Sequence, residues 1–240
     1  MVWLIFVLSA AAILYVATQL AKYGDAIAVR TRLGGMFVGM LLLAGATSLP
    51  EVLTSVNSLS QGAPDLAAGN LLGSNAFNMV LLAMLDVLHR NQRILRRAAL
   101  KHALSGSLAT LMIGMVLFFI MADVRIQIGW LGLDSLLIIG VYIVAARLIQ
   151  SNAPPADGTG EEAPEDTPTL AWALAGFLAA AGALVVLTPI MVRRANEIAE
   201  ITGLGASFVG TTLVAAVTSL PEMVTTLAAV KIGADDMAIG

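Results

Sequence analysis

The sequence GATSLPE occupies residues 45–51, and a near copy, AVTSLPE, occupies residues 216–222. Both copies lie inside long apolar stretches. Each copy therefore places a glutamate, Glu51 or Glu222, where the hydrocarbon core of a membrane is expected. An ionisable side chain at that depth predicts a functional site.

The two copies belong to a longer internal repeat. When residues 39–69 are aligned with residues 210–240, about 14 of the 31 pairs are identical, a degree of symmetry typical of repeat-built transporters. The identical pairs include Pro, Glu, Asp and Gly in register. Apolar composition alone would produce scattered Leu and Ala matches, so the alignment indicates a true structural repeat.

The composition indicates a membrane protein. Of the 240 residues, 58% are hydrophobic and 12% are charged, and the mean hydropathy is +0.88. A soluble domain usually carries about 25% charged residues. We therefore predict an all-α, polytopic helical membrane protein. The chain has no cysteine, which excludes a disulfide framework, a thiolate metal site and a catalytic thiol.

The apolar pattern predicts seven membrane spans and the beginning of an eighth near Asp236. The spans run roughly over residues 2–21, 34–60, 66–88, 99–121, 129–149, 169–191 and 206–231. The first span has no basic residues before it and is long for a signal peptide, so we expect it to be retained.

The basic residues predict the orientation of these spans. If the N-terminus lies outside, ten basic residues fall on the cytoplasmic side and three fall outside, as the positive-inside rule requires. The ten are Lys22, Arg30, Arg32, Arg90, Arg93, Arg96, Arg97, Lys101, Arg147 and Lys231, and the three are Arg125, Arg193 and Arg194. The short loops and the lack of a soluble sensor domain favour a prokaryotic inner membrane.

Residues 151–168 are rich in Gly, Pro and acidic side chains, and we predict a disordered cytoplasmic linker there. The linker separates a first five-helix repeat (residues 1–150, motifs at 39–78) from an incomplete second repeat (residues 169–240, motif at 210–240). Because five spans precede the linker, the second repeat enters the membrane in the opposite sense. The expected architecture is thus an inverted-topology repeat.

The chemistry of the repeated phrase points to a cation. Thr47 and Ser48 precede Glu51 by four and three residues, so the three side chains share one helix face. Pro50 has no amide hydrogen, and its ring crowds the carbonyl of Ala46, so the helix must kink or break there. Hydroxyls, freed carbonyls and a carboxylate are ligands for a hard cation such as Ca²⁺ or Na⁺.

The same reasoning makes Thr218, Ser219 and Glu222 candidate ligands in the second copy. A lone ionised carboxylate at mid-membrane costs about 3 kcal/mol on insertion scales, and the two spans offer no Lys or Arg at the depth of the glutamates. A divalent cation, sodium ions or protons would neutralise Glu51 and Glu222. The alternative is that each glutamate is protonated and only donates a hydrogen bond between helices.

The third span begins with GNLLGSNAFN at residues 69–78. Asn70, Ser74 and Asn78 are spaced by four residues and lie along one helix face. The two glycines of the stretch share that spacing, which allows a neighbouring helix to approach closely. We predict that Ser74 and Asn78 bind a cation, whereas ligation and helix packing both remain open for Asn70.

These motifs resemble those of the sodium/calcium exchangers in the Ca²⁺:cation antiporter superfamily, in which two inverted repeats carry G-T-S-L-P-E-like and G-N-x-x-G-S-N-x-x-N-like motifs. The resemblance implies exchange of Ca²⁺ for Na⁺ by alternating access around one mid-membrane site, with both ions as cargo and no cofactor. The ion ligands it implies are Thr47, Ser48, Glu51, Ser74 and Asn78 in the first repeat and Thr218, Ser219 and Glu222 in the second. Ser74-Asn75 after Gly73 is similar to the sodium-coupled branch rather than the proton-coupled one.

The chain stops at Gly240, where the second Gly-Asn motif is expected to begin. We therefore expect a C-terminally truncated member, whose site a partner or a missing segment would complete. The alternatives are a non-transporting remnant, a half that needs a partner, a cation/H⁺ exchanger and a channel. No constellation of residues suggests an enzyme or a nucleic-acid-binding protein, so the expected partners are Ca²⁺, Na⁺ and the lipid bilayer.

Overall fold

The computed structural model describes residues 1–31, 44–88, 103–122, 126–129, 131–152 and 168–231. The long helices are α1 (Val2–Thr31), α2 (Leu49–Ser60), α3 (Pro64–Leu88), α4 (Ala103–Ala122), α5 (Leu133–Asn152) and α6 (Leu170–Thr202). Shorter segments follow, namely α7 (Ala206–Val209), a π-helical turn (Gly210–Val214), α8 (Ala215–Thr218) and α9 (Leu220–Lys231). Strands β1 (Gln127–Ile128) and β2 (Leu131–Gly132) form a small antiparallel pair before α5.

The predicted class, an all-α polytopic membrane protein, is confirmed. Four of the described helices are long and apolar enough to cross a bilayer: α1, the part of α3 from Pro64 to Met84, α4 and α6. The bent pair Ala206–Thr218 and Leu220–Leu227, with 41° between its halves, makes a fifth candidate if each bent pair counts as one span. The seven-span count, the orientation and the inverted repeat stay predictions.

Several predicted features lie outside the described residues. These are the first part of the second span, the basic loop from Arg90 to Lys101, residues 153–167 of the predicted linker and the start of the eighth span near Asp236. The predicted fifth span begins four residues early, because Gly129 lies in a turn, residues 131–132 form β2 and the helix begins at Leu133.

Helix α6 continues well past its predicted end at residue 191. Its apolar run stops at the first charged residues, but a buried face continues through Ala195 and Ile198, while Arg193 and Glu200 are exposed. This amphipathic pattern keeps the segment helical after the hydropathy has fallen. The helix ends at Thr202 and is followed by Gly203, whose φ of +68° favours glycine and whose N–H donates to Ala199 O at 3.0 Å.

The chain divides into two compact units. The first contains residues 1–92 and 156–240, and the second contains residues 93–155. The sequence predicts a different division, into two repeats separated by residues 151–168. That division is based on the internal repeat rather than on contacts, and it stays a prediction.

The core of the first unit lies between α1 and α6, which make the most extensive helix contact there. Fully buried side chains on both helices, such as Ile13 and Leu20 on α1 and Leu184 and Met191 on α6, belong to one hydrophobic cluster. Helices α2 and α3 pack against each other, and α2 also packs against α6. Helix α9, which carries Glu222, packs against α1 and α3.

The second unit is simpler. It contains α4, the β1–β2 pair and α5, and the two helices contact each other. No residue of α4 is buried, and its sequence is apolar on every side. Such a helix suits contact with lipid rather than with water.

The glycines of α3 meet the segment from α7 to α8 at very short range. A Cβ added to Gly69 would lie 2.5 Å from Ser207 O, and one added to Gly73 would lie 2.5 Å from Thr211 O. Across the crossing, a Cβ on Gly210 would lie 2.6 Å from Leu66 O. The close approach predicted for the glycines of residues 69–78 is therefore confirmed.

We expect the substitution Gly69→Ala to destabilise the protein by about 1–3 kcal/mol, because the added methyl group would press on backbone rather than on a flexible side chain. The measurement is thermal unfolding of the detergent-purified protein. Gly182→Ala is the control, since a Cβ there meets nothing within 4 Å and alanine favours the helix. Equal melting temperatures for the two variants would contradict the crossing.

Candidate functional site

The two repeated phrases have the same backbone geometry. In the first, residues 44–47 are helical and α2 begins at Leu49; in the second, α8 ends at Thr218 and α9 begins at Leu220. The residue at each break is a serine, with φ −84° and ψ 0° at Ser48 and φ −85° and ψ −2° at Ser219. Values of ψ near 0° lie in a sparsely populated region that often contains active-site residues.

The threonine before each break also behaves in the same way in both copies. Thr47 Oγ1 donates to Ala44 O at 3.1 Å, and Thr218 Oγ1 lies 3.3 Å from Ala215 O. In each phrase, the threonine hydroxyl therefore lies beside the backbone carbonyl of the residue four positions before the serine. Both threonines are buried, so these oxygens face the protein interior.

The serines and glutamates of the two phrases contact each other reciprocally. Ser48 Oγ donates to Glu222 Oε1 at 3.0 Å, and Ser219 Oγ donates to Glu51 Oε1 at 3.4 Å. Equivalent residues thus exchange equivalent contacts, which is the pattern of an isologous interface. The two carboxylates consequently lie within one site, each held by the serine of the other repeat.

Helix α3 adds amide and hydroxyl groups to this site. Asn78 Nδ2 donates to Glu222 Oε2 at 2.9 Å, and Ser74 Oγ lies 3.5 Å from Thr218 Oγ1 while donating to Asn70 O at 2.8 Å. The face of α3 predicted from the four-residue spacing therefore points towards both phrases.

Asn70 joins the two repeats through its side chain, a role that the sequence left open. It is fully buried and accepts a hydrogen bond from Thr218 Oγ1 at 3.1 Å. Its amide nitrogen lies 3.4 Å from both Glu51 O and Ser55 Oγ. Its burial and its contacts with groups of both repeats favour a positioning role, and the spacing in the sequence contained no signal that separated this role from ligation.

The charge of the site comes from two carboxylates. Glu51 is 8% exposed and Glu222 is partly buried. In the described part of the chain, neither pairs with Lys or Arg, and no cluster of three or more His, Cys, Asp or Glu side chains forms a metal site. A cation at this position would therefore meet two carboxylates and a set of neutral hydroxyl, amide and carbonyl oxygens.

Three oxygens near these contacts are buried without a hydrogen-bond partner among the described residues: Glu51 Oε2, Thr54 Oγ1 and Asn78 Oδ1. Buried polar atoms are normally paired, so orphaned ones indicate a missing ion or water. All three are acceptor or ligand atoms of the type that hard cations prefer.

Seven of the eight predicted site residues contact another predicted site residue through their side chains. Ser48 and Asn78 contact Glu222, Ser219 contacts Glu51, and Ser74 contacts Thr218. The eighth, Thr47, is buried and bonded to a carbonyl of its own helix. Cation binding by these residues stays a prediction, because the contacts establish their proximity alone.

Comparison with known proteins shows that the chain matches a protein family. The chain matches the family described as "Sodium/calcium exchanger protein" over residues 1–149 and 172–240, which together include both phrases and the whole of α3. The match therefore covers most of the chain.

Three individual proteins are similar to the chain at low identity. One is the Alkalimonas amylolytica protein named "Putative antiporter CaxA", 28% identical over 98% of this chain and 74% of its own length. Another is "Inner membrane protein YrbG" of Escherichia coli K12, 27% identical over 85% of this chain and 63% of its own length. The third is "Uncharacterized membrane protein MJ0091" of Methanocaldococcus jannaschii, 26% identical over 90% of this chain and 68% of its own length.

We expect Asn70→Ala to lower the stability of the cation-free protein by about 1–3 kcal/mol, because it removes partners from buried polar groups of both repeats. Asn75→Ala is the matched control on the same helix, since Asn75 is exposed and bonds to Leu71 O of its own helix. Thermal unfolding of both variants in detergent tests this, and similar shifts for the two would show that Asn70 does not join the repeats.

Proposed function

The chain belongs to the sodium/calcium exchanger family, and we propose that it is a secondary antiporter that exchanges Ca²⁺ for Na⁺ across a membrane. The observation that carries the proposal is the reciprocal contact of Ser48 with Glu222 and of Ser219 with Glu51. This contact brings two carboxylates into one site, where a bound cation would neutralise their negative charge.

The chemistry of the site supports these two ions. Two carboxylates carry a charge of −2 when ionised, which one Ca²⁺ or two Na⁺ would balance. The surrounding groups are hydroxyl, amide and carbonyl oxygens, which suit hard cations and are poor ligands for softer metals. The proposed ligands are Thr47, Ser48, Glu51, Ser74, Asn78, Thr218, Ser219 and Glu222.

Coupling follows from the sharing of one pair of carboxylates. Ca²⁺ and Na⁺ would compete for Glu51 and Glu222, so the site would carry one kind of ion or the other in each transport step. The empty site carries uncompensated charge in a low-dielectric region, which disfavours the conformational change without cargo. A transporter with this property exchanges ions and does not leak them.

The serine contacts give the site a means to respond to an ion. A hydroxyl has one hydrogen and two lone pairs, so Ser48 and Ser219 can donate to a carboxylate and still offer an oxygen to a cation. Loading would therefore tighten the contact between the repeats without breaking it. Alternating access would then be a movement of other helices around this fixed pair.

We expect Glu51→Gln to reduce sodium-gradient-driven ⁴⁵Ca²⁺ uptake into proteoliposomes to the level of protein-free vesicles. The amide keeps the shape of the side chain but removes one of the two charges that bind the cation. Glu200→Gln, on the exposed face of α6, is the control and should transport at the wild-type rate. Undiminished uptake by Glu51→Gln would show that this carboxylate does not bind the transported ion.

The same vesicles separate an antiporter from a channel and from a proton exchanger. Calcium uptake should require sodium on the opposite side, stop when an ionophore collapses the sodium gradient and fail to respond to a pH gradient alone. Uptake that persists without a counter-ion would indicate a channel, and uptake driven by the pH gradient would indicate H⁺ coupling.

A further inference from the structure

Among the described residues, two hydrogen bonds join α2, the helix that carries Glu51, to α6. Asn57 Nδ2 donates to Thr188 Oγ1 at 3.1 Å, and Gln61 Nε2 donates to Pro189 O at 3.3 Å. Thr188 is fully buried, Asn57 is half-buried and Gln61 is exposed. Asn57 therefore makes the more shielded of the two contacts, although it belongs to neither repeated phrase and is absent from the predicted ligands.

These bonds fix the position of α6 against α2 in a way that apolar packing does not. Leu53 of α2 packs against the hydrophobic cluster that contains Leu184 and Met191 of α6. Apolar burial is non-directional and favours any well-packed position. A hydrogen bond, in contrast, requires its donor and acceptor at a defined distance and angle. The two bonds therefore select one arrangement of the two helices.

Both groups of the bond between Asn57 and Thr188 also have a partner in their own helix. Asn57 Nδ2 donates to Leu53 O at 2.7 Å, and Thr188 Oγ1 donates to Leu184 O at 2.9 Å. The amide nitrogen has two hydrogens and the hydroxyl has two lone pairs, so all three bonds form together. If the helices separated here, neither group would become an unpaired buried polar group, whose cost would oppose the separation. The bond is therefore one that can open and close.

The contact lies beside a proline within α6. Pro189 has no amide hydrogen, so the carbonyl of Val185 receives no helical hydrogen bond from it. A helix bends most readily where a bond of this ladder is missing. Helix α2 therefore contacts α6 at the segment that is easiest to deform.

The equivalent positions of the second repeat cannot form this bond. The internal repeat shifts the numbering by 171 positions, and the same shift relates the last residues of α1 and α6. It places Ala228 opposite Asn57 and Ala17 opposite Thr188. An alanine side chain has no donor or acceptor, so α9 and α1 have no side-chain bond to make at these two positions.

We propose that Asn57 is a positioning residue that latches α2 to α6 and stabilises the conformation described here over the one that opens to the opposite side of the membrane. This inference rests on the proposed function, in which other helices move around the serine–glutamate pair. In a transporter built from inverted repeats, the two halves exchange their arrangements between the two access states. Equal halves would give these states similar energies, whereas a bond available to one half alone favours one state.

The expected bias is modest. One intramolecular hydrogen bond changes an equilibrium by about threefold to tenfold. A bias of this size leaves the opposite state populated, so the latch sets how long the site faces each side and does not prevent exchange.

The test measures the populations of the two states directly. The chain has no cysteine, so Met79→Cys on α3 and Val186→Cys on α6 would each attach one spin label at an exposed position. Helix α3 is bonded to Glu222 through Asn78, so its label reports the position of the serine–glutamate pair. Pulsed electron paramagnetic resonance of the labelled protein in lipid nanodiscs gives the distribution of distances between the two labels.

Asn57→Ala should raise the ratio of the minor to the major distance about threefold to tenfold over the labelled wild type. Thr188→Val, which keeps the shape but removes the acceptor, should raise it equally. The double variant should add nothing further, because both changes break the same bond. Thr188→Ser keeps the hydroxyl and should keep the wild-type ratio. Ser60→Ala is the matched control on α2 and should do the same, since its hydroxyl bonds to Asn57 O of its own helix.

Identical distance distributions in all variants would overturn the inference, as would equal shifts in Thr188→Ser and Thr188→Val. A double variant whose shift equals the product of the single shifts would show that Asn57 and Thr188 act independently and form no latch. If Asn57→Ala fails to fold, Thr188→Val carries the test, because valine has the shape of the residue that it replaces.

Transport separates this inference from the function on which it rests. If the wild-type protein shows sodium-driven ⁴⁵Ca²⁺ uptake but the distances do not respond to Asn57→Ala, the antiporter stands and the latch is wrong. If the distances respond as expected but the wild-type protein moves no calcium, the proposed function fails and the contact between α2 and α6 still controls a conformational equilibrium.

Discussion

Two carboxylates inside an apolar protein must be held by donors, and in this chain each accepts a hydrogen bond from the serine of the other repeat. The contacts of Ser48 with Glu222 and of Ser219 with Glu51 depend on several earlier steps. Each helix must break at its serine, which the following proline promotes by removing a backbone donor. The serine and glutamate must then lie on one face, three residues apart. Any change that straightens one helix would leave the carboxylate of the other repeat without its serine donor.

The glycine crossing brings α3 into this arrangement. Because Gly69 and Gly73 have no Cβ, the backbone of α3 approaches that of the π-helical turn and its neighbours more closely than any other side chain would allow. This approach carries Asn70 and Asn78 to groups of the second repeat. A π-helical turn widens the helix locally and is common at functional sites, and here it lies at the crossing. Helix packing and site chemistry therefore have the same structural cause.

Much of this arrangement could be predicted from the sequence, because it depends on residues that are close together in the chain. The kinks follow from proline, the shared face follows from helical spacing, and the pairing of two phrases follows from the repeat itself. The role of Asn70 could not be predicted, because it depends on which groups of the second repeat lie opposite α3. The same holds for Thr54, whose hydroxyl has no partner among the described residues although a threonine in a helix usually donates to its own backbone. The length of α6 was underestimated for a related reason, since the burial of Ala195 and Ile198 depends on their neighbours rather than on hydropathy.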